Sequence, residues 1–281
     1  MKPRTLANFL AKSLLTLGCL GLPLGVVFLG VVQPALANFR LAPLFVQMRN
    51  RQGQGTATLR LDNTSQDSIN VRLTLVPFRY DENGKFQAIE AGSPWDLSGY
   101  LIVSPTELNI PGNSTRNVRL ASLLPPSLPE GEYRTAVFAQ SYVVLAEGEA
   151  EEQIRVGINA SIGSAIYVRK GSLAPELAIQ SAVLQRDPAT DHLELRLPIE
   201  NSGTATARTT IQWQLLRDGE AVVEAQNIYS FLPGHTTRAQ LRSAIFSSPD
   251  FEPGTYQLMG ELQWKENNVV ETLPFEQEIS W

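Results

Sequence analysis

From Ile154 the chain alternates between apolar and polar or small positions almost without interruption as far as Val168. Ile154, Val156, Ile158, Ala160, Ile162, Ser164, Ile166 and Val168 share one parity, and Arg155, Gly157, Asn159, Ser161, Gly163, Ala165, Tyr167 and Arg169 the other. A period of two puts successive side chains on opposite faces of a strand. At about 15 residues the run is far longer than the usual strand of roughly 5–6, so it offers more apolar positions than one sheet of ordinary width uses. Shorter apolar or alternating runs predict strands over Phe39–Met48, Gly55–Asp62, Ile69–Phe78, Tyr100–Val103, Glu107–Asn109, Arg116–Ala121 and Arg134–Val144. Asn83-Gly84, between Arg79-Tyr80 and Lys85-Phe86, tolerates the positive φ of a tight turn and predicts a hairpin. Pro125, Pro126 and Pro129 keep the segment from Leu124 to Pro129 out of any central strand, because proline has no N–H for the ladder. No stretch keeps a helical period over several turns, and the expected class is all-β.

The pattern occurs twice. In the first copy Leu59-Arg-Leu-Asp-Asn63-Thr-Ser is followed by Pro111-Gly112, by Arg116-Asn-Val-Arg-Leu120, and by Pro129-Glu-Gly-Glu-Tyr133 before an apolar strand. In the second, Leu195-Arg-Leu-Pro-Ile-Glu-Asn201-Ser-Gly is followed by Pro233-Gly234, by Arg238-Ala-Gln-Leu-Arg242, and by Pro253-Gly-Thr-Tyr256 before Leu258. From the Pro-Gly pair to the tyrosine is 22 residues in one copy and 23 in the other. Asn after an apolar strand turns the chain through side-chain bonds to nearby backbone, and Pro-Gly suits the centre of a type II turn. A tyrosine near the start of a late strand fits the tyrosine corner of immunoglobulin-like sandwiches, where the hydroxyl bonds upstream backbone. Two such sandwiches in tandem are therefore expected, over 38–169 and 170–281, with Lys170-Gly-Ser172 as a short hinge.

The N-terminus changes the setting. Lys2, Arg4 and Lys12 precede or enter an apolar run from Ser13 to Val32, and Ala35-Leu36-Ala37 forms a small-x-small site, which predicts a secretory signal peptide over 1–37 cleaved before Asn38. An uncleaved membrane anchor is the alternative, since about 20 apolar residues reach across a bilayer. Removing those three cations from 23 basic residues leaves 20 against 28 acidic ones, a net charge of −8 that disfavours nucleic acid as a partner. Cys19, the one cysteine, lies in the leader, so the exported chain must be held by its cores without disulfides.

Candidate chemistry is sparse. His192 and His235, the only histidines, both fall in expected turns and read as solvated. There is no His/Cys cluster for zinc, no glycine-rich phosphate loop and no nucleophile elbow. The acidic stretch Glu147–Glu152 lacks the ligand order of a calcium loop and reads as a charged, soluble loop. No enzyme activity, metal or cofactor is expected.

Residues 39–169 resemble the periplasmic pilus-assembly chaperones of the PapD-like family. The resemblance rests on Asn63 after the second strand, Leu101-Ile-Val-Ser-Pro105, Pro111-Gly112 leading to Val118-Arg-Leu120, Leu128-Pro-Glu-Gly-Glu132, and Ile162 to Arg169 ending in Tyr-Val-Arg. It implies two immunoglobulin-like domains that capture exported subunits by inserting alternating apolar residues of the last strand of the first domain into a groove in the subunit. On this chain those residues are Ile158, Ala160 and Ile162, extended by Val156 and Ile154. It also implies a buried interdomain ionic set, at Arg119, Glu132 and Arg169, whose role is to hold the interdomain angle rather than to add net stability. The family's clamp for the subunit's terminal carboxylate has no counterpart: the first-strand position falls near Pro43 or Leu44, the later one on Gly163 to Ala165 without a lysine, and only Arg40 stands near enough to substitute.

Two functions follow as expectations. In the first, the chain is a non-enzymatic periplasmic chaperone that holds pilus or other surface subunits by β-strand addition, with an outer-membrane usher as a possible second partner and no small-molecule substrate. In the second, it is an exported structural or adhesive protein of two sandwiches that self-associates through the same strand.

Overall fold

The computed structural model describes residues 39–48, 53–142, 160–187, 193–242, 251–266 and 269–280. The leader, Ile154, Val156, Ile158, the acidic stretch Glu147–Glu152 and His192 lie outside the described residues.

The first half contains strands β1 (Phe39–Ala42), β2 (Phe45–Met48), β3 (Gln54–Asn63), β4 (Ile69–Val76), β5 (Phe78–Tyr80), β6 (Phe86–Ala88), β7 (Leu101–Ser104), β8 (Glu107–Ile110), β9 (Thr115–Leu123), β10 (Gly131–Tyr142) and β11 (Ser161–Lys170). One sheet has the order β1-β3-β9-β7 and the facing one β2-β11-β10-β4-β8, while β5 and β6 form the expected Asn-Gly hairpin. Between the sheets lies a core that includes Phe39, Leu59, Leu61, Val71, Val118, Leu120, Val137, Ile166 and Val168. Prolines divide two of the expected strands. The Phe39–Met48 run breaks at Pro43, so β1 pairs β3 in one sheet and β2 runs parallel to β11 in the other. The Ile69–Phe78 run breaks at Pro77, which separates β4 from the hairpin strand β5. In both places the missing N–H removes a ladder bond and the chain changes sheet.

The second half contains β12 (Leu177–Ile179), β13 (Val183–Arg186), β14 (Leu193–Asn201), β15 (Ala207–Arg217), β16 (Glu220–Phe231), β17 (His235–Leu241), β18 (Thr255–Glu266) and β19 (Val269–Ser280). Here β14 carries β12 and β13 along one side and β17 along the other, and packs against a sheet of order β16-β15-β18-β19. Leu193, Leu195, Leu197 and Ile199 of β14 are buried in strict alternation, facing Ile211, Trp213, Leu215, Leu258 and Leu262. Two immunoglobulin-like sandwiches, each with its own core, are the architecture.

The repeated residues play the same part in both. Tyr133 donates its hydroxyl to Pro129 O at 2.9 Å and Tyr256 donates to Glu252 O at 2.5 Å, each four residues upstream. Asn63 sends its amide to the carbonyls of Asp67 and Ile110 while its oxygen accepts from Ser65 N–H. Asn201 does likewise with Ala205 and Phe231, and accepts from Gly203 N–H. The expected hinge starts at an anchored residue: Lys170 Nζ donates to the carbonyls of Pro125, Pro126 and Leu128. The proline-rich segment, having few N–H groups for a ladder, presents its carbonyls to that ammonium instead.

Candidate functional site: an open strand edge and a buried ionic set

β11 is antiparallel to β10 along its whole length, from Ser161 opposite Gln140 to Lys170 opposite Gly131. Its other side is covered only in part. β2 pairs it from Ala165 to Val168, Ala165 N–H donates to Leu44 O at 2.9 Å, and Ser164 Oγ donates to Pro43 O at 2.8 Å. Upstream of Ser164, no described strand lies on that side. Because backbone groups of alternate residues point to opposite sides of a strand, the outward N–H of Ala165 sets the parity: Gly163 and Ser161 also direct N–H and C=O outward, where no ladder partner meets them among the described residues.

The side chains along this segment divide by face. Ile166 and Val168 are fully buried, whereas Ala160 and Ile162 are half-buried and pack against the same core at its edge. The alternating run therefore completes its own sandwich with its later half. On the opposite face Gly163 lies under the ring of Phe138, and a Cβ at this position would come within 2.9 Å of it. Phe138 is part of an aromatic layer that continues through Phe86 at 5.4 Å, Phe78, and Tyr167 with Phe45 at 4.9 Å, and ends where the Arg208 guanidinium stacks 4.8 Å over Phe45. Burial holds the Tyr167 phenol well above its ordinary pKa, so it stays protonated.

The ionic set differs from the expected one. Glu132 and Arg169 face each other across β10 and β11, with Arg169 Nε 3.0 Å from Glu132 Oε2. Arg169 Nη1 also meets both oxygens of Glu266, at 2.8 and 2.9 Å, and Nη2 donates to Thr206 O. Glu132 accepts from the backbone N–H and the hydroxyl of Thr206. One arginine and two carboxylates, with Thr206, thus join the sandwiches. Arg119 takes no place in this set: Val118 and Leu120 point into the core, so the parity of β9 turns Arg119 to the exposed outer face. Arg40 follows the same logic on β1, where Phe39 and Leu41 are buried, and lies exposed on the strand opposite Asp62 rather than beside Ile162.

Sequence reasoning missed Thr206, Glu266 and Lys170. Thr206 had a weak signal, since it follows the turn organised by Asn201. Glu266 had none, being 97 residues from its arginine. Of the expected partner-binding residues, Ala160 and Ile162 lie together at the open edge, and Val156 and Ile158 fall outside the described residues. Among the described residues no group of three His, Cys, Asp or Glu side chains converges on a metal position.

No protein-family model matches the chain, and no curated protein sequence matches it. Solved structures do. The class 5 fimbriae chaperone CfaA aligns with 14% identity and a TM-score of 0.48, covering 85% of this chain and 99% of that one. The CsuC–CsuE chaperone–tip adhesion subunit pre-assembly complex from the archaic chaperone-usher Csu pili of Acinetobacter baumannii aligns with 13% identity and a TM-score of 0.48, covering 86% and 98%. The Pseudomonas aeruginosa CupB2 chaperone aligns with 12% identity and a TM-score of 0.46, covering 85% and 100%. The chain is similar in backbone to pilus chaperones over most of its length, at low sequence identity.

Proposed function

We propose that this chain is a non-enzymatic periplasmic chaperone that holds exported pilus or other surface subunits by lending them the open edge of β11. The observation that carries the reading is that β2 pairs β11 only from Ala165 onward, so that among the described residues no strand meets the outward backbone groups of Ser161 and Gly163, and Ala160 and Ile162 are only half-buried. A strand laid along this edge gains main-chain hydrogen bonds, and its alternate side chains cover Ala160 and Ile162 on one face and meet Phe138 and the 41%-exposed Phe86 on the other. Val156 and Ile158, outside the described residues, continue the apolar alternation in the sequence. Nothing charged stands between Ser161 and Val168 to resist an incoming strand. A signal peptide over 1–37 delivers the protein to the periplasm, residues 38–169 and 170–281 form its two domains, and an outer-membrane usher is the natural recipient of the held subunit.

The Glu132–Arg169–Glu266 set fits this role as a brace. A buried ionic set adds little net stability, but an unpaired member is costly, so the set favours one arrangement of the two sandwiches over others. Arg119 and Arg40 have no part in it.

The test is capture in the periplasm followed by exchange measurement. The wild-type protein is expected to copurify with an exported subunit, with the Ser161 and Gly163 amides protected from hydrogen exchange in the complex and not in the free chain. Folded Ile162→Asp is expected to lose the subunit. Undiminished capture by folded Ile162→Asp would sink the reading. Concentration-dependent dimers that dissociate on Ile162→Asp, with no subunit captured, would instead establish the self-associating structural or adhesive protein.

A further inference from the structure

Leu232 breaks the parity of its own sandwich. β16 ends at Phe231, which lies in the second core, so the next residue should face away from that core, yet Leu232 is only 1% exposed and belongs to a different cluster. Its companions there are Phe78, Ala136 and Tyr167 of the first sandwich. Ala136 and Tyr167 show the same reversal: Val137, Ile166 and Val168 fill the first core, so these two occupy the outer face of that sheet and are nevertheless buried. The repeat sharpens the contrast. Ile110, which precedes Pro111-Gly112 as Leu232 precedes Pro233-Gly234, is buried in its own core. In the second copy the core takes Phe231, and Leu232 packs into the other sandwich.

The β5–β6 hairpin completes the seat. Phe78 on β5 is buried, meets Tyr167 edge-on at 6.0 Å and carries Phe86 of β6 stacked on it at 5.2 Å. From this base the hairpin tip reaches β17 of the second sandwich. Glu82 O accepts the Arg238 backbone N–H, the Glu82 and Arg238 side chains stand 3.7 Å apart, and a Cβ at Gly84 would come within 3.3 Å of the Tyr229 ring and 3.4 Å of Thr237. The side-chain pair is exposed and adds little. The backbone bond and the close fit of Gly84 are what position the tip. Asp81 fixes its shape, Oδ1 accepting from the N–H groups of Asn83 and Lys85.

We infer that Leu232 is a plug and the β5–β6 hairpin the strap that secures it, so that the two sandwiches move as one body while the plug is seated and move apart as separate bodies when it is not. A buried side chain in a pocket of the opposing unit is the kind of contact that dominates an interface. Packed apolar contacts of this kind hold one arrangement or let go, rather than deform gradually. The strap is fixed at its base, through Phe78, to the first sandwich and is caught at its tip by the second. The joint shares no residue with the Glu132–Arg169–Glu266 set. It also stands apart from strand lending, which uses neither Leu232 nor the hairpin tip.

Pulsed dipolar spectroscopy on nitroxides at Thr58→Cys and Gln226→Cys, two exposed positions on different sandwiches, reads their separation in a full chain carrying Cys19→Ser. The intact joint is expected to give one narrow distance. Leu232→Asp is expected to broaden it while the ionic set stays untouched. Gly84→Val, whose side chain has no room at the tip, is expected to broaden it less and to speed hydrogen exchange at the Arg238 amide at least tenfold. Ile228→Asp, on β16 at a position 57% exposed, is expected to leave the distance unchanged. A broad distance with the joint intact, a narrow and unshifted one in folded Leu232→Asp, or equal broadening by Ile228→Asp would each overturn the inference. A native distance or a native exchange rate in Gly84→Val would overturn the strap. If Leu232→Asp does not fold, Leu232→Ala takes its place with the same expected and overturning outcomes.

Discussion

Tyr133 and Tyr256 close the same corner in the two sandwiches, and Asn63 and Asn201 brace the same turn, yet the strands that end the two halves, β11 and β19, treat their open sides in opposite ways. β19 is paired to β18 along its whole length and exposes Glu271, Pro274, Glu276 and Glu278 along that strand. Charges and proline on an edge strand discourage another strand from pairing there. Gln277 also accepts from Ala182 N–H and donates to Gln180 O, tying the edge to the facing sheet. β11 has no such protection between Ser161 and Gly163, and its half-buried side chains there are apolar. One structural plan, used twice, ends among the described residues on a strand with charged and proline side chains exposed in one copy and on a strand whose outer side is covered only from Ser164 onward in the other. A few side chains at the end of a strand decide between them.

The comparison can be broken most forcefully at the joint between the two halves. Glu132→Ala leaves the Arg169 guanidinium with one carboxylate fewer in a largely buried place, and is expected to cost about 3–5 kcal/mol, read from denaturant unfolding. A loss below about 1 kcal/mol, the worth of a surface pair, would show that the set is solvated in solution.

Next in size is the contrast of edges. Ile162→Asp is expected to weaken subunit capture by the burial of one large aliphatic side chain, about 1.5–3 kcal/mol, or roughly tenfold to a hundredfold in affinity. Val270→Asp on β19, where the valine is 61% exposed, is expected to change nothing. Equal losses at both sites would erase the distinction between the two strands.

The shared corners give a smaller and symmetrical effect. Tyr133→Phe and Tyr256→Phe each remove one hydroxyl bond to a carbonyl four residues upstream, and each is expected to cost about 0.5–1.5 kcal/mol in thermal or denaturant unfolding. A loss at only one of the two would show that the repeated plan is not energetically repeated.

The smallest effect concerns acid. The pKa of His235 is depressed below its ordinary 6.5 by burial first and by Arg134 and Arg79 after it. The folded chain therefore binds fewer protons than the unfolded one below that pH, and its stability declines as pH falls from about 6.5 through the folded value. The contribution is complete above that range. His235→Gln is expected to flatten this part of the stability profile, and an unchanged slope would show that other groups set it.

Much of the fold is legible from alternation. Alternation marks the run that becomes β11, and recurrence places Tyr133 and Tyr256 in their corners. Parity also told against Arg119, flanked by Val118 and Leu120, since a residue between two buried neighbours must face away from its own core. The family resemblance that implies Arg119 in the ionic set conflicts with this local pattern. The division of β1 from β2 was foreshadowed by Pro43, but which sheet each part would join was not, because a missing N–H says where pairing stops and not where the chain goes next.

By itself, then, the sequence determined the strands, their buried faces and the doubled sandwich plan, because period-two patterning, proline and asparagine act through covalent geometry and near neighbours. Tertiary structure decided that β2 leaves part of β11 uncovered, that Glu266 rather than Arg119 completes the ionic set, and that Leu232 is buried with Phe78 and Tyr167 of the other sandwich. Those outcomes depend on contacts such as Ser164 with Pro43 and Arg169 with Glu266, between residues 121 and 97 positions apart. No local pattern encodes such a meeting, because the chain must fold before the two groups share a neighbourhood.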